Sequence, residues 1–112
     1  MATRSFIAKL GSDGKVRGNY CHWDADLSGV GKTLKEYYTR EGLVDALLSL
    51  GALSSLGTNL TETVAYHRDR KEPLEPLTEY GSIKEMLGDV GERFNAEWAY
   101  VYDDGAWRNF PV

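Results

Sequence analysis

The chain has a single cysteine, Cys21, in 112 residues. No internal disulfide can form, and no cysteine cluster can hold a metal ion. Such cysteine usage suits a reducing compartment. Proline is also scarce. Two of the three prolines, Pro73 and Pro76, sit in KEPLEPLTEY and mark that stretch as a loop. No apolar run approaches the roughly 18 residues that a membrane-spanning helix needs. The first ten residues, MATRSFIAKL, lack the basic-then-apolar pattern of a secretion signal. A cytoplasmic protein that does not engage a membrane is therefore expected. Nor is there a large surplus of one charge. With 13 Lys and Arg against 17 Asp and Glu, the net charge is −4. That argues against a general or sequence-specific nucleic-acid binder, which carries a basic surplus. It is also too dilute for an acidic mimic of DNA.

Hydrophobic residues make up 42% and charged residues 27%, a globular balance, and the length suits one domain over residues 1–112. Seven Tyr, three Trp and three Phe supply much of the core material. Phe6, Ala8 and Leu10 alternate with Ile7 and Lys9, and Asp13-Gly14 follows, so a β-hairpin is predicted over residues 4–23. SGVGKTLKEYYTR predicts a helix over 28–39, with Ser28 as N-cap and Val30, Leu34, Tyr37 and Tyr38 at helical spacing. REGLVDALLSLG predicts a second helix, stopped by Gly51. ALSSLGTN reads as a loop, and TETVAYHRDR as a strand over 62–68. Ser82 and Glu85 fit a capping box ahead of an amphipathic helix. Trp98, Tyr100 and Tyr102 alternate into a second Asp-Gly turn at Asp104-Gly105, with Trp107 opening the return strand. The order ββ-αα-β-α-ββ implies an α+β fold. Its antiparallel sheet would be built from the two terminal hairpins and a central strand, with about three helices on one face.

GVGKT, Gly29 to Thr33, resembles the end of a phosphate-binding loop, which needs G-x-x-x-x-G-K-[ST] between a strand and a helix. The first glycine should stand at position 26, where the residue is Asp26. A carboxylate there would face the phosphates, and the βαβ alternation of such enzymes is missing. The better reading is that Gly29 and Gly31 let a helix begin close to another backbone.

In YCHWD, His22 and Asp24 stand two apart and would share a strand face, as an acid–base pair or metal ligands would. Local hydrogen bonding is the plainer account, and Cys21 reads as a small packing residue. YHRDRK concentrates His67, Arg68, Asp69, Arg70 and Lys71 at the end of the expected strand. Arginines there would hold phosphate or carboxylate, unless the charges simply pair with one another. Neither His-x-His nor His-x-x-x-His spacing is present, so no metal or other cofactor is expected.

The chain also resembles a set of small phage and prophage proteins. Their members read T-R-S/A-x-I, a D-G turn, Y-C-H-W-D-G-Y-P, V-G-K-x-L and a paired aromatic. Here TRSFIAKLGSDGKVRGNYCHWDADLSGVGKTLKEYYT carries that opening, LGALSSLG and AYHRDR resemble the later blocks, and the W-x-Y-x-Y…W hairpin resembles the ending. Ala25-Asp26-Leu27 departs from the Gly-Tyr-Pro of the relatives. The resemblance implies a protein of the host bacterial cytoplasm that counters a defence system by binding.

Three readings follow. The first is a stoichiometric inhibitor of a host defence protein or complex, most concretely of anti-CRISPR type. It would use exposed acidic and aromatic residues: Asp24, Asp26, Glu62, Asp103, Asp104 and Trp107. The second is a sponge for a nucleotide second messenger, with Lys32, Arg68 and Arg70 on phosphates and Trp23 or Tyr66 stacked on a base. The third is a small metal-dependent hydrolase using His22, Asp24, His67 and Asp69. An edge strand or exposed aromatic patch would favour a homodimer.

Overall fold

Asp13-Gly14 makes the tight turn that its sequence predicts, with Gly14 at φ +83°. A computed structural model describes residues 2–112 and places strands β1 (Arg4–Leu10) and β2 (Val16–Cys21) on either side of that turn. They pair antiparallel, from Ser5 opposite Cys21 to Leu10 opposite Val16. At the other end of the chain, Asp104 and Gly105 both have positive φ, +49° and +82°. That is the backbone a two-residue hairpin turn requires. It joins β6 (Ala96–Asp103) to β7 (Ala106–Pro111).

The two hairpins lie side by side, with β1 parallel to β6. Between them run the α-helices: α1 (Lys32–Tyr37), α2 (Glu41–Ser49), α3 (Tyr66–Arg70) and α4 (Ile83–Arg93). Three short strands share this middle region: β3 (Leu53–Ser55), β4 (Val64–Ala65) and β5 (Thr78–Tyr80). The seven-stranded sheet has the order β4-β3-β2-β1-β6-β7, with β5 attached to β2. The fold is α+β, as the sequence indicates. The sheet itself is mixed, because β1 with β6 and β2 with β3 run parallel. A long crossover carrying helices permits such pairing, whereas a short turn does not.

Strand alternation divides the core in two. Ile7, Tyr100 and Tyr102 face Leu34, Tyr38, Val44 and Leu47 of the α1–α2 region. Phe6, Ala8, Ala99 and Val101 face Met86 and Val90 of α4. Helices therefore cover both faces of the sheet, where one face was expected. Each fully buried side chain of this size contributes roughly 1.5–3 kcal/mol of hydrophobic stabilisation.

Local expectations fared unevenly. Ser82 Oγ accepts from the Glu85 amide at 3.1 Å and caps α4. The reciprocal bond goes from Gly81 N–H to Glu85 Oε2 at 2.6 Å. The helix expected over 28–39 begins instead as a π-helical turn, Leu27–Gly31, which leads into α1. The residue before it is Asp26, and no side chain caps the turn, so Ser28 does not serve as N-cap. The two glycines do allow close approach. A Cβ on Gly29 would lie 2.4 Å from the Asp24 carbonyl oxygen, and one on Gly31 would lie 3.0 Å from the Tyr100 hydroxyl.

ALSSLGTN, expected to be a loop, contains β3. The strand expected over 62–68 is only Val64–Ala65, and the chain then turns into α3. Asp69 Oδ2 accepts the Ala65 amide at 2.8 Å and so stabilises that helical turn over an extended chain. The stretch expected to be a loop around the prolines ends in β5.

The outer edge of β2 is shared. Val16, Arg17 and Gly18 pair with β5, and Cys21 pairs with β3. Among the described residues, no strand lies opposite Asn19 and Tyr20 on that edge.

Candidate functional site

This gap in the sheet edge opens into a cleft of about 270 Å³. Asn19 and Tyr20 line it from β2, Ala52 and Thr78 from the ends of the flanking strands, Tyr66 and His67 from α3, and Phe94 from the end of α4. Residues 72–76 close the rim, and Glu72 and Glu75 are among them. Lys71 at φ +57° ends α3 and swings the chain across the opening.

The cleft walls are tied down. The Tyr20 ring stacks on Phe94, with centroids 6.0 Å apart. Its hydroxyl accepts from Arg4 Nε at 3.0 Å and also bonds His22 Nδ1. Burial raises the Tyr20 phenol above its ordinary pKa, and the Arg4 guanidinium opposes that shift. Arg70 lies over the Tyr66 ring, 5.2 Å from its centroid, and reaches Ser54 Oγ at 3.3 Å. His67 Nδ1 is 2.7 Å from the Glu72 carbonyl oxygen. A carbonyl only accepts, so Nδ1 carries the proton, and Nε2 is an acceptor in the neutral ring. Asn19 is 8% exposed. Its Nδ2 donates to the Leu48 carbonyl at 2.8 Å, which turns Oδ1 the other way.

The residues singled out from the sequence do not gather at one place. His22 follows β2 and packs edge-on against Trp23, at 4.7 Å between centroids. Trp23 is 41% exposed. Asp24 takes a left-handed backbone, φ +61°, and its carbonyl accepts from Val30 N–H at 2.7 Å. Asp24 and Asp26 line a second hollow of about 300 Å³, together with Ser28, Gly29 and Thr33. Lys32 is exposed and is not part of that lining. Two carboxylates without the lysine make a poor phosphate cradle, so GVGKT is a helix start here.

Arg68 is a clamp for its own loop. Nη1 donates to the Leu60 carbonyl at 2.8 Å, Nη2 donates to the Thr63 carbonyl, and Asp69 pairs with the same guanidinium at 2.9 Å. That pairing, followed by the Ala65 amide, lowers the Asp69 pKa. Arg68 and Asp69 thus pair with each other, and the segment is helical rather than extended.

Asp103 accepts from Arg108 Nη1 at 3.2 Å, and Asp104 forms the hairpin turn. Ala25 N–H bonds Thr3 O at 3.1 Å, which places Asp24 and Asp26 beside the start of β1. Asp103 and Asp104 lie beyond its far end. The seven residues of β1 span roughly 23 Å at strand rise. The two acidic pairs are thus separated by about the length of β1. Trp107 donates its indole N–H to the Tyr38 carbonyl at 2.8 Å and packs on Tyr102 at 5.3 Å. Half-buried, it packs against the core and fixes β7 against the end of α1.

Among the described residues, no three His, Cys, Asp or Glu side chains converge as metal ligands would. Cys21 is fully buried, and burial pushes its thiol up to about 12, as for a packing residue and not a nucleophile. No helix of the described residues is long and apolar enough to cross a membrane. The cleft residues Asn19, Thr78 and Phe94 carry no sequence signal, because four separate segments bring them together. Comparison of the chain with protein-family models, curated proteins and solved structures found no match.

Proposed function

We propose that the protein acts by stoichiometric binding to a partner protein in the cytoplasm of a bacterial host. In the setting that the phage resemblance implies, the partner is part of a defence system, and an anti-CRISPR inhibitor is the concrete form. One observation carries the binding reading. Three of the four candidate catalytic side chains, His22, His67 and Asp69, are engaged in bonds that hold local structure, whereas the cleft at the split edge of β2 is open and aromatic, with Glu72 and Glu75 at its rim. Such a surface suits recognition more than turnover. It also complements the lysines and arginines with which defence nucleases hold nucleic acid.

Gel filtration of the purified protein with a CRISPR effector complex of the host tests this reading directly. Co-elution at fixed stoichiometry, with loss of target cleavage, supports it. No complex and full cleavage with every effector of that host would overturn it.

Sequestration of a nucleotide signal has less support. Arg68 is bound to its own loop, and Lys32 lies outside the cleft. The homodimer belongs to the same proposal. β7 is the last strand of the sheet order and offers an edge for a second copy. Sedimentation equilibrium measures it.

A further inference from the structure

We infer that the cleft between β3 and β5 receives an arginine side chain of the partner, an assignment that rests on the stoichiometric-binding reading above. Size is the first argument. At about 270 Å³ the cleft falls at or below the low end of small-molecule sites, roughly 300–1,000 Å³. That volume suits one long side chain and is small for a dinucleotide.

Charge and hydrogen-bonding capacity narrow the occupant further. The lining includes Glu72 and Glu75 and has no lysine or arginine of its own. Asn19 is more than nine-tenths buried, and its amide nitrogen is held by Leu48 O. Its Oδ1 has no hydrogen-bond partner among the described residues. The Nε2 of His67 is a further acceptor. A guanidinium has five N–H donors and no acceptor, so it is the side chain that answers a set of acceptors. Tyr20 and Tyr66 add ring surface on which a planar cation can stack. Arg4 and Arg70 touch these two tyrosines without lining the cleft. A delocalised, weakly hydrated guanidinium tolerates such neighbours better than a compact ammonium does.

The test is an NMR titration of the isotope-labelled full chain with a capped Gly-Arg-Gly peptide. Matched peptides carry lysine, glutamate or citrulline, the neutral isostere, and adenosine monophosphate is a separate arm. The arginine peptide should bind with a Kd on the order of 1 mM. It should shift the Asn19 side-chain amide and the Tyr20, Tyr66 and Phe94 ring signals, while citrulline leaves them in place. A Glu72→Gln/Glu75→Gln double variant, with both positions exposed, should bind about tenfold more weakly.

The assignment is overturned by an absent arginine response, by an equal citrulline response, or by undiminished binding in the double variant. It is also overturned if lysine or the nucleotide shifts the same signals more strongly. The defence assay separates the two claims. Inhibition that survives without arginine-peptide binding removes only the cleft assignment. Peptide binding without any inhibition removes only the defence role.

Discussion

Asn19 Nδ2 donates to the Leu48 carbonyl oxygen at 2.8 Å, across 29 residues of sequence. This bond ties β2 to the last turn of α2 and decides which way the Asn19 carboxamide faces the cleft. Replacing Asn19 with Leu removes the bond, although Gly51 N–H still reaches the same carbonyl at 3.2 Å. The expected loss is therefore about 1 kcal/mol, the net worth of one hydrogen bond. Urea unfolding measures it, and an unchanged midpoint would show that burial of the leucine offsets the lost bond.

Arg68→Ala should lower the melting temperature and raise amide exchange over residues 60–64, since the guanidinium holds the carbonyls of Leu60 and Thr63. Binding of an arginine peptide should be unaffected, because Arg68 does not line the cleft. A variant with native stability and lost ligand binding would restore Arg68 as a ligand residue.

Two glycines should respond in opposite directions. Gly88 lies inside α4 with nothing within 4 Å of an added Cβ, so Gly88→Ala should stabilise by roughly 0.5–1 kcal/mol. Gly29→Ala would drive a methyl to 2.4 Å from the Asp24 carbonyl oxygen and should destabilise by about 1–3 kcal/mol. Denaturant midpoints of the two variants decide this, and a neutral Gly29→Ala would mean that the π-helical turn yields freely.

Alkaline pH should unfold the protein. Burial raises the Cys21 thiol from an ordinary 9.0 to about 12. Burial, with the Asp89 carboxylate 2.6 Å away, raises the Tyr80 phenol from 10.0 to about 12. Tyr100 is raised too, chiefly by burial. All three are favoured as neutral groups in the fold, so the folded state binds more protons than the unfolded state above the ordinary values. Their stabilisation is fully present below about pH 9 and is lost as pH rises through 12. Exposed tyrosines such as Tyr37 can ionise on the intact fold, so the loss of circular dichroism should coincide with the last tyrosines to ionise. Ionisation of all seven tyrosines on an intact fold would refute the linkage.

Much of this fold is written in local chemistry. Asp13-Gly14 and Asp104-Gly105 set the two hairpins because a positive φ is a property of a few neighbouring residues. Ser82 caps α4 through a bond spanning three residues, and Asp26 is enough to argue that GVGKT is not a phosphate-binding loop. The acidic and aromatic candidates were legible as residues, but their placement was not. Asp24 and Asp103 lie at opposite ends of β1, and the indole N–H of Trp107 is taken up by Tyr38.

Sequence by itself determined the α+β class, the hairpins and the two longer helices, since each depends on periodicity or turn chemistry within a short window. Tertiary structure alone decided that β1 runs parallel to β6, that helices cover both faces, and that residues 66–70 form a helix. It also decided the cleft. A strand's alternation says which side chains share a face, but not which strand will lie along its edge. Only the assembled sheet leaves Asn19 and Tyr20 unpaired between β3 and β5, with Tyr66, Thr78 and Phe94 brought alongside them.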